Sequence, residues 1–89
     1  MARRIVFADH AWNDYLVWQE TDRKMLVRLN GLILSAAREP FIGIGKPEPL
    51  RGTWRGCWSR RIDDTHRLVY EVSGNDLVVL QCRYHYGDR

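Results

Sequence analysis

Three kinds of side chain in the second half of this chain could do chemistry together. One is Glu48, bracketed by Pro47 and Pro49. Prolines on both sides hold its backbone extended and restrict the reach of its carboxylate. The second kind is cationic: Arg61, Arg67 and Arg83, with Lys46 and Arg51 nearby in the sequence. The third is His85, directly followed by Tyr86. A carboxylate can act as a general base, and guanidinium groups can stabilise charge growing on a phosphorane. An imidazolium can return a proton to a leaving oxygen. These are the parts needed to cleave RNA at its 2′-OH without a metal ion, and DNA, lacking that hydroxyl, would resist. Each residue also has a plainer reading. Glu48 reads equally as an exposed acid in a stiff loop, the arginines as solvated strand residues, His85 as an exposed imidazole and Tyr86 as a core ring.

Other chemistries find no support. Gly43-Ile44-Gly45-Lys46 lacks the spacing of a phosphate-binding P-loop, and Pro47 blocks the helix such a loop must open. No Cys/His pair has zinc-ligand spacing, so no metal and no cofactor is expected. Cys57 and Cys82 are far apart and read as buried free thiols in a reducing cytosol. There is no signal-type apolar segment and no run long enough to span a membrane, so a cytoplasmic protein is expected. The net charge of +3 and pI near 9.2 suit an anionic partner.

With 89 residues, the chain predicts a single domain over 1–89 with a modest core. Arg3 to Ala8 reads as a strand with Ile5 and Phe7 on one face, and Asp9 fits an N-cap. From His10 to Glu20, Ala11, Trp12, Tyr15, Leu16 and Trp18 recur at helical spacing. Thr21-Asp22 breaks that helix and caps the next. Met25, Leu26, Leu29, Leu32, Ile33 and Ala36 form a second helical stripe, ended by Pro40. Residues 39–50 hold the chain's three prolines, together with Gly43 and Gly45, and predict a stiff loop.

Strands are expected around Arg51–Trp54, Cys57–Asp63 and Arg67–Ser73, followed by a long final strand, Leu77–Tyr86. Alternation gives that last strand an apolar face of Val78, Leu80, Cys82 and Tyr84 and a polar face of Gln81, Arg83 and His85. A three-residue turn at Gly74-Asn75-Asp76 would set Leu68, Tyr70 and Val72 beside Cys82, Leu80 and Val78. A turn at Asp64-Thr65-His66 would pair Ile62 with Leu68. Arg67 would then lie beside Arg83. The expected fold class is α+β: two N-terminal helices packed on one face of a mainly antiparallel β-sheet. The other face stays open, lined by Ser59, Arg61, Arg67, Arg83 and His85. Tyr86 would point away from His85, so both can serve one site only if the strand bends or ends there.

The order of these pieces carries a resemblance. Trp12-Asn13-Asp14-Tyr15 and Trp18-Gln19-Glu20-Thr21-Asp22 come first, then Gly45-Lys46-Pro47-Glu48-Pro49-Leu50. Trp58-Ser59-Arg60-Arg61-Ile62, His66-Arg67-Leu68-Val69-Tyr70 and Cys82-Arg83-Tyr84-His85-Tyr86 follow. Together, nearly end to end, they resemble the YoeB toxins of the RelE superfamily of bacterial toxin–antitoxin systems. The resemblance implies a RelE-like, microbial-RNase-like fold and a ribosome-dependent mRNA endonuclease that inhibits translation. It implies Glu48, Arg67, His85 and Tyr86 as catalytic residues, and Lys46, Arg51 and Arg61 as RNA-binding ones; Arg83, on the polar face, joins them. It implies a YefM-like antitoxin, a homodimer as a further assembly, and contact with DNA only through the antitoxin. Family members end at or just after the His-Tyr pair, whereas here Gly87-Asp88-Arg89 follow and would add a carboxylate beside His85. A non-catalytic RNA-binding or co-repressor module on the same fold is the alternative.

Overall fold

The computed structural model describes residues 2–86. The Gly87-Asp88-Arg89 tail, and with it the expected carboxylate beside His85, lies outside the described residues. The elements are β1 (Arg4–Phe7), α1 (Asp9–Thr21), α2 (Arg23–Arg38), β2 (Glu48–Pro49), a 3-10 turn at Gly52–Trp54, β3 (Trp58–Arg61), β4 (Arg67–Ser73) and β5 (Asp76–Gln81). One five-stranded sheet has the order β1-β5-β4-β3-β2. β1 runs parallel to β5, and the other pairs are antiparallel. This is the expected α+β arrangement.

The helices form where the apolar periodicity places them. Asp22 caps α2 as expected, its carboxylate accepting from the Met25 N–H at 3.1 Å. Asp9 does not cap α1. Ala8 holds the cap position and Asp9 is the first helical residue, where its charge still suits the helix dipole. Leu29, Leu32, Ile33, Ala36 and Ala37 of α2 join Ala11 and Trp18 of α1 over Leu68, Tyr70, Leu77, Val79 and Cys82 of the sheet side. Each of the larger aliphatic side chains contributes about 1.5–3 kcal/mol by leaving water.

The strand pairing departs from expectation in four places. Residues 51–54 make a 3-10 turn rather than a strand. The β3–β4 connection is longer than three residues, so Arg61 pairs with Arg67 and Arg60 with Leu68. The offset from the expected pairing is two residues, so Ser59 and Arg61 still share the open face. The β4–β5 turn takes only Gly74 and Asn75, with Ser73 opposite Asp76. Glycine at φ +58 lets the chain reverse that tightly. Leu77 and Val79 therefore face the helices, while Leu80 packs on the opposite side with Leu50, Cys57 and Val69. Finally, β5 ends at Gln81 rather than Tyr86. Just before its end a bulge skips Leu80, pairing Val69 with Gln81, and Cys82 returns to the core beside Leu68.

Arg60 is the residue the sequence does not advertise. It is fully buried on the core face of β3. Its Nε donates to Tyr70 Oη at 2.9 Å, and Nη1 donates to Ser35 Oγ at 2.7 Å and to the Ile44 carbonyl at 3.0 Å. Nη2 donates to the carbonyls of Glu39 at 2.7 Å and Ile42 at 2.8 Å. A guanidinium has five N–H donors, and all five are used. Tyr70 in turn donates to the Pro40 carbonyl at 2.6 Å. Burial keeps this phenol protonated by pushing its pKa up, against a smaller opposing effect from Arg60. Arg60→Met should therefore destabilise the fold by more than about 3 kcal/mol in urea denaturation, because several buried acceptors lose their donor. Arg60→Lys should recover little, since an ammonium has three donors and cannot reach five acceptors.

Candidate nucleic-acid interface

The Arg60 anchor delivers the loop that carries the acid. Gly45 accepts from the Arg61 N–H at 2.7 Å through its carbonyl, and Lys46 follows at φ +54. At Gly45 itself φ is +82 and an added Cβ would meet Leu32 Cδ2 at 2.5 Å, so only glycine fits. The loop then pairs with the sheet edge as β2. One row of cross-strand neighbours results: Glu48 opposite Ser59, Ser59 opposite Val69 and Val69 opposite Gln81. The next row sets Arg61 opposite Arg67. Lys46, Glu48, Ser59, Arg61 and Arg67 line one cleft of about 150 Å³. Roomier hollows exist, one of about 480 Å³ lined by Ala2, Arg3, Arg4 and Asn75, but that one gathers no carboxylate.

Two arginines directly opposite each other repel, so the pair costs stability unless something offsets it. Arg61 is ion-paired to Asp64 in the β3–β4 connection. Arg67 Nη1 donates to the carbonyls of Asp63 at 2.6 Å and His66 at 3.0 Å. A local rule broken at a cleft is what a binding site for an anion would show. Glu48 is exposed.

A second set of contacts holds the C-terminal segment. Trp18 Nε1 donates to the Cys82 carbonyl at 2.7 Å, and the Cys82 N–H donates to Asp14 Oδ2 at 3.1 Å, both buried. Helix α1 thus grips both sides of the residue at which the ladder stops. Buried Gln81 donates through Nε2 to the carbonyls of Arg83 at 2.9 Å and His85 at 3.2 Å. Tyr84 adopts φ +63, which turns the chain. With alternation broken, Tyr86 packs against the cluster of Leu50, Cys57 and Val69 on the open face, as Trp54 and Leu80 do. The His85 ring stacks on Tyr86 with centroids 4.3 Å apart. The strand ends, as it must if both residues are to serve one place. The Cys57 thiol beneath Tyr86 is pushed up by burial and by the Glu71 carboxylate, and stays neutral.

The expected residues are thus brought together unequally. Lys46, Glu48, Arg61 and Arg67 line the cleft; His85 and Tyr86 are not in its lining, but Tyr86 packs on the cluster that holds Val69, the cross-strand neighbour of the cleft's Ser59. Arg83 does not pair with Arg67; its guanidinium lies over the Tyr84 ring at 4.7 Å. Arg67 instead donates its backbone N–H to the Tyr84 carbonyl at 3.0 Å. Arg51 is exposed and outside the cleft lining. The open face also carries an apolar cluster that polar alternation did not foresee. Ser59 lies on the open face as expected, and it is a buried residue of the cleft lining. Among the described residues no group of three or more His, Cys, Asp or Glu side chains converges as a metal-ligand set.

Residues 7–86 match the YoeB-like toxins of bacterial type II toxin–antitoxin systems. The chain belongs to this family. It is 59% identical to Toxin YoeB of Streptomyces coelicolor over 83 residues, covering 93% of this chain and 99% of that one. Identity to Toxin YoeB of Escherichia coli K12 is 48%, with the same coverage. Among solved structures, a YoeB/ParE toxin from Agrobacterium tumefaciens superposes with TM-score 0.89 at 50% identity, covering 93% of this chain and 99% of that chain. A Staphylococcus aureus YoeB dimer superposes with TM-score 0.88 at 41% identity, covering 97% of this chain and all of that chain. A heterotetrameric YoeB-YefM toxin–antitoxin complex from the same organism matches with TM-score 0.86. In this YoeB-like chain, Trp18→Phe keeps one aromatic ring, loses the other, and strips the buried Cys82 carbonyl of its donor. It should cost about 1–3 kcal/mol in chemical denaturation.

Proposed function

We propose that this toxin is a ribosome-dependent mRNA endoribonuclease that cuts mRNA in the ribosomal A site and so stops translation. The supporting observation is the cleft itself, one exposed carboxylate and three cations, together with a stacked His-Tyr pair whose Tyr86 packs on the cluster of Val69, the neighbour of the cleft's Ser59. Glu48 takes the proton from a 2′-OH, and the freed oxygen attacks the adjacent phosphorus. Arg67, its Nη1 already fixed by loop carbonyls, meets the negative charge that grows on the phosphorane. Lys46 and Arg61 hold flanking phosphates, the latter by exchanging exposed Asp64 for RNA at little cost. Arg51 and Arg83 extend the basic path. His85 protonates the leaving 5′-oxygen, and Tyr86 keeps its ring in place by stacking. The product is a 2′,3′-cyclic phosphate, and no step calls on a metal ion. The site of action is the cytoplasm; among the described residues no helix is long and apolar enough to cross a membrane. A YefM-like antitoxin is its neutralising partner, the homodimer a second assembly, and DNA is reached only through the antitoxin.

Mapping of mRNA ends on programmed ribosomes tests this reading. Glu48→Gln should lower single-turnover cleavage by about a hundredfold or more. Its stability should stay within about 0.5 kcal/mol of the parent, because the side chain is exposed. Retained binding without cleavage in this variant separates an enzyme from a mere RNA-binding module. Full cleavage by Glu48→Gln would remove the general base.

Arg67→Ala should slow chemistry more than it weakens ribosome binding, because its charge is needed most in the transition state. An unchanged single-turnover rate with weakened affinity would make Arg67 a binding residue only. His85→Gln should cost about a hundredfold in rate, most visibly where an imidazolium donor would otherwise be populated. An unaltered pH–rate profile would take His85 out of the mechanism.

A further inference from the structure

His66 sits between the two halves of the site without lining the cleft. Its Nδ1 accepts the backbone N–H of Tyr84 at 2.7 Å. An imidazole nitrogen can accept only when it carries no proton, so the neutral ring holds its hydrogen on Nε2. The bond closes on a residue in need of support. Tyr84 is at φ +63, a region that residues with a side chain rarely occupy and keep only when neighbours over-determine it. Those neighbours are His66 on its N–H and Arg67 on its carbonyl, through the backbone N–H at 3.0 Å. The next residues along the chain are His85 and Tyr86.

We propose that His66 is a positioning residue: its unprotonated Nδ1 latches the Tyr84 turn, and the latch sets His85 and Tyr86 beside the Glu48–Arg67 cleft. Protonation of His66 puts an N–H against the Tyr84 N–H and opens the latch. Falling pH favours the protonated ring, so the latch is shut while Nδ1 is bare and released once the ring takes up a proton. One ring and three charged groups lie around this residue and its partner. From α1, Trp18 meets it edge to face at 4.8 Å. From the β3–β4 connection, the Asp63 carboxylate accepts the His66 backbone N–H at 2.7 Å. From β4, the Arg67 guanidinium lies on the His66 carbonyl, and from the tail Arg83 covers the Tyr84 ring. Asp63 and Arg67 thus bond the His66 backbone and Arg83 covers the Tyr84 ring, which itself meets the imidazole at 5.6 Å.

This inference rests on the proposed nuclease reading for its activity readout only. Asparagine offers the decisive variant, because its Oδ1 can stand where Nδ1 stands and cannot take up a proton. Under single-turnover conditions on saturating programmed ribosomes, His66→Ala should lower the cleavage rate by about tenfold or more, since small misplacement of reacting groups is costly. The ribosome concentration for half-maximal rate should change by less than about twofold, because the cleft's cations are untouched. His66→Asn should restore the rate and hold it as pH is lowered, while the parent's rate falls. Glu48 and His85 are the same in both chains, so the difference between the two profiles belongs to His66. In the free parent chain, the Tyr84 amide resonance should titrate together with the His66 ring, and amide exchange at Tyr84 should quicken as pH falls relative to His66→Asn. A His66→Ala chain with the parent's rate and pH profile, or a Tyr84 amide indifferent to His66 protonation, would overturn the proposal. A parent chain that cuts no RNA while the Tyr84 amide still follows His66 would overturn the nuclease reading and leave the latch standing.

Discussion

The buried guanidinium of Arg60 dictates how the chain beyond α2 must fold. A charge taken from water into a core costs several kcal/mol unless its hydrogen bonds are replaced. Here the replacement is neutral: a phenol, a hydroxyl and three carbonyls, each aimed at one N–H. The acceptors come from the end of α2, from the loop after it and from β4. Satisfying the charge therefore means folding the loop around it. Gly43 fits this packing because an added Cβ would stand 2.7 Å from Ser35 Oγ and 3.1 Å from Arg60 Nη1. Residues 39–45 have almost no regular structure, yet they are tied down. Lys46 and Glu48, which continue from them, inherit that order.

The opposite end of the site has a different anchor. Helix α1 grips Cys82 by both its backbone groups, and Gln81 satisfies carbonyls beyond it. The bulge that skips Leu80 is what makes this possible. Without it Cys82 would face away from α1, and neither Asp14 nor Trp18 could reach it. The open face also needs its apolar patch. Tyr86 rests on Leu50, Cys57 and Val69, which gives the terminal pair a surface to pack against in an otherwise charged neighbourhood.

Between these anchors lies an electrostatic imbalance. Arg61 and Arg67 face each other across the ladder, and one exposed carboxylate stands in the next row. Loop carbonyls and Asp64 offset part of the repulsion and leave the cleft cationic. Such an arrangement lowers stability slightly and favours an anion. It is a compromise a purely structural sheet has no reason to keep.

Much of this was legible in the residues themselves. The helices follow from apolar spacing, β4 from its alternation, and the end of α2 from Pro40, because these are local properties of the chain. Pro-flanked Glu48, the arginines and the terminal His-Tyr suggested the chemistry proposed above, and the order of the motifs along the chain announced the family. What the sequence could not specify were the choices that depend on partners distant in the chain. A two-residue turn with a bulge and a three-residue turn without one give the same pairing beside Cys82, and only the packing of Leu77 and Val79 under the helices separates them. Arg60 and Arg61 are identical as letters. One lies on the core face among fixed carbonyls and the other on the open face, since neighbouring strand residues point to opposite sides. The last strand reads as extended through Tyr86 by composition, yet it stops at Gln81. The hydrogen bonds that stop it come from α1, more than sixty residues away.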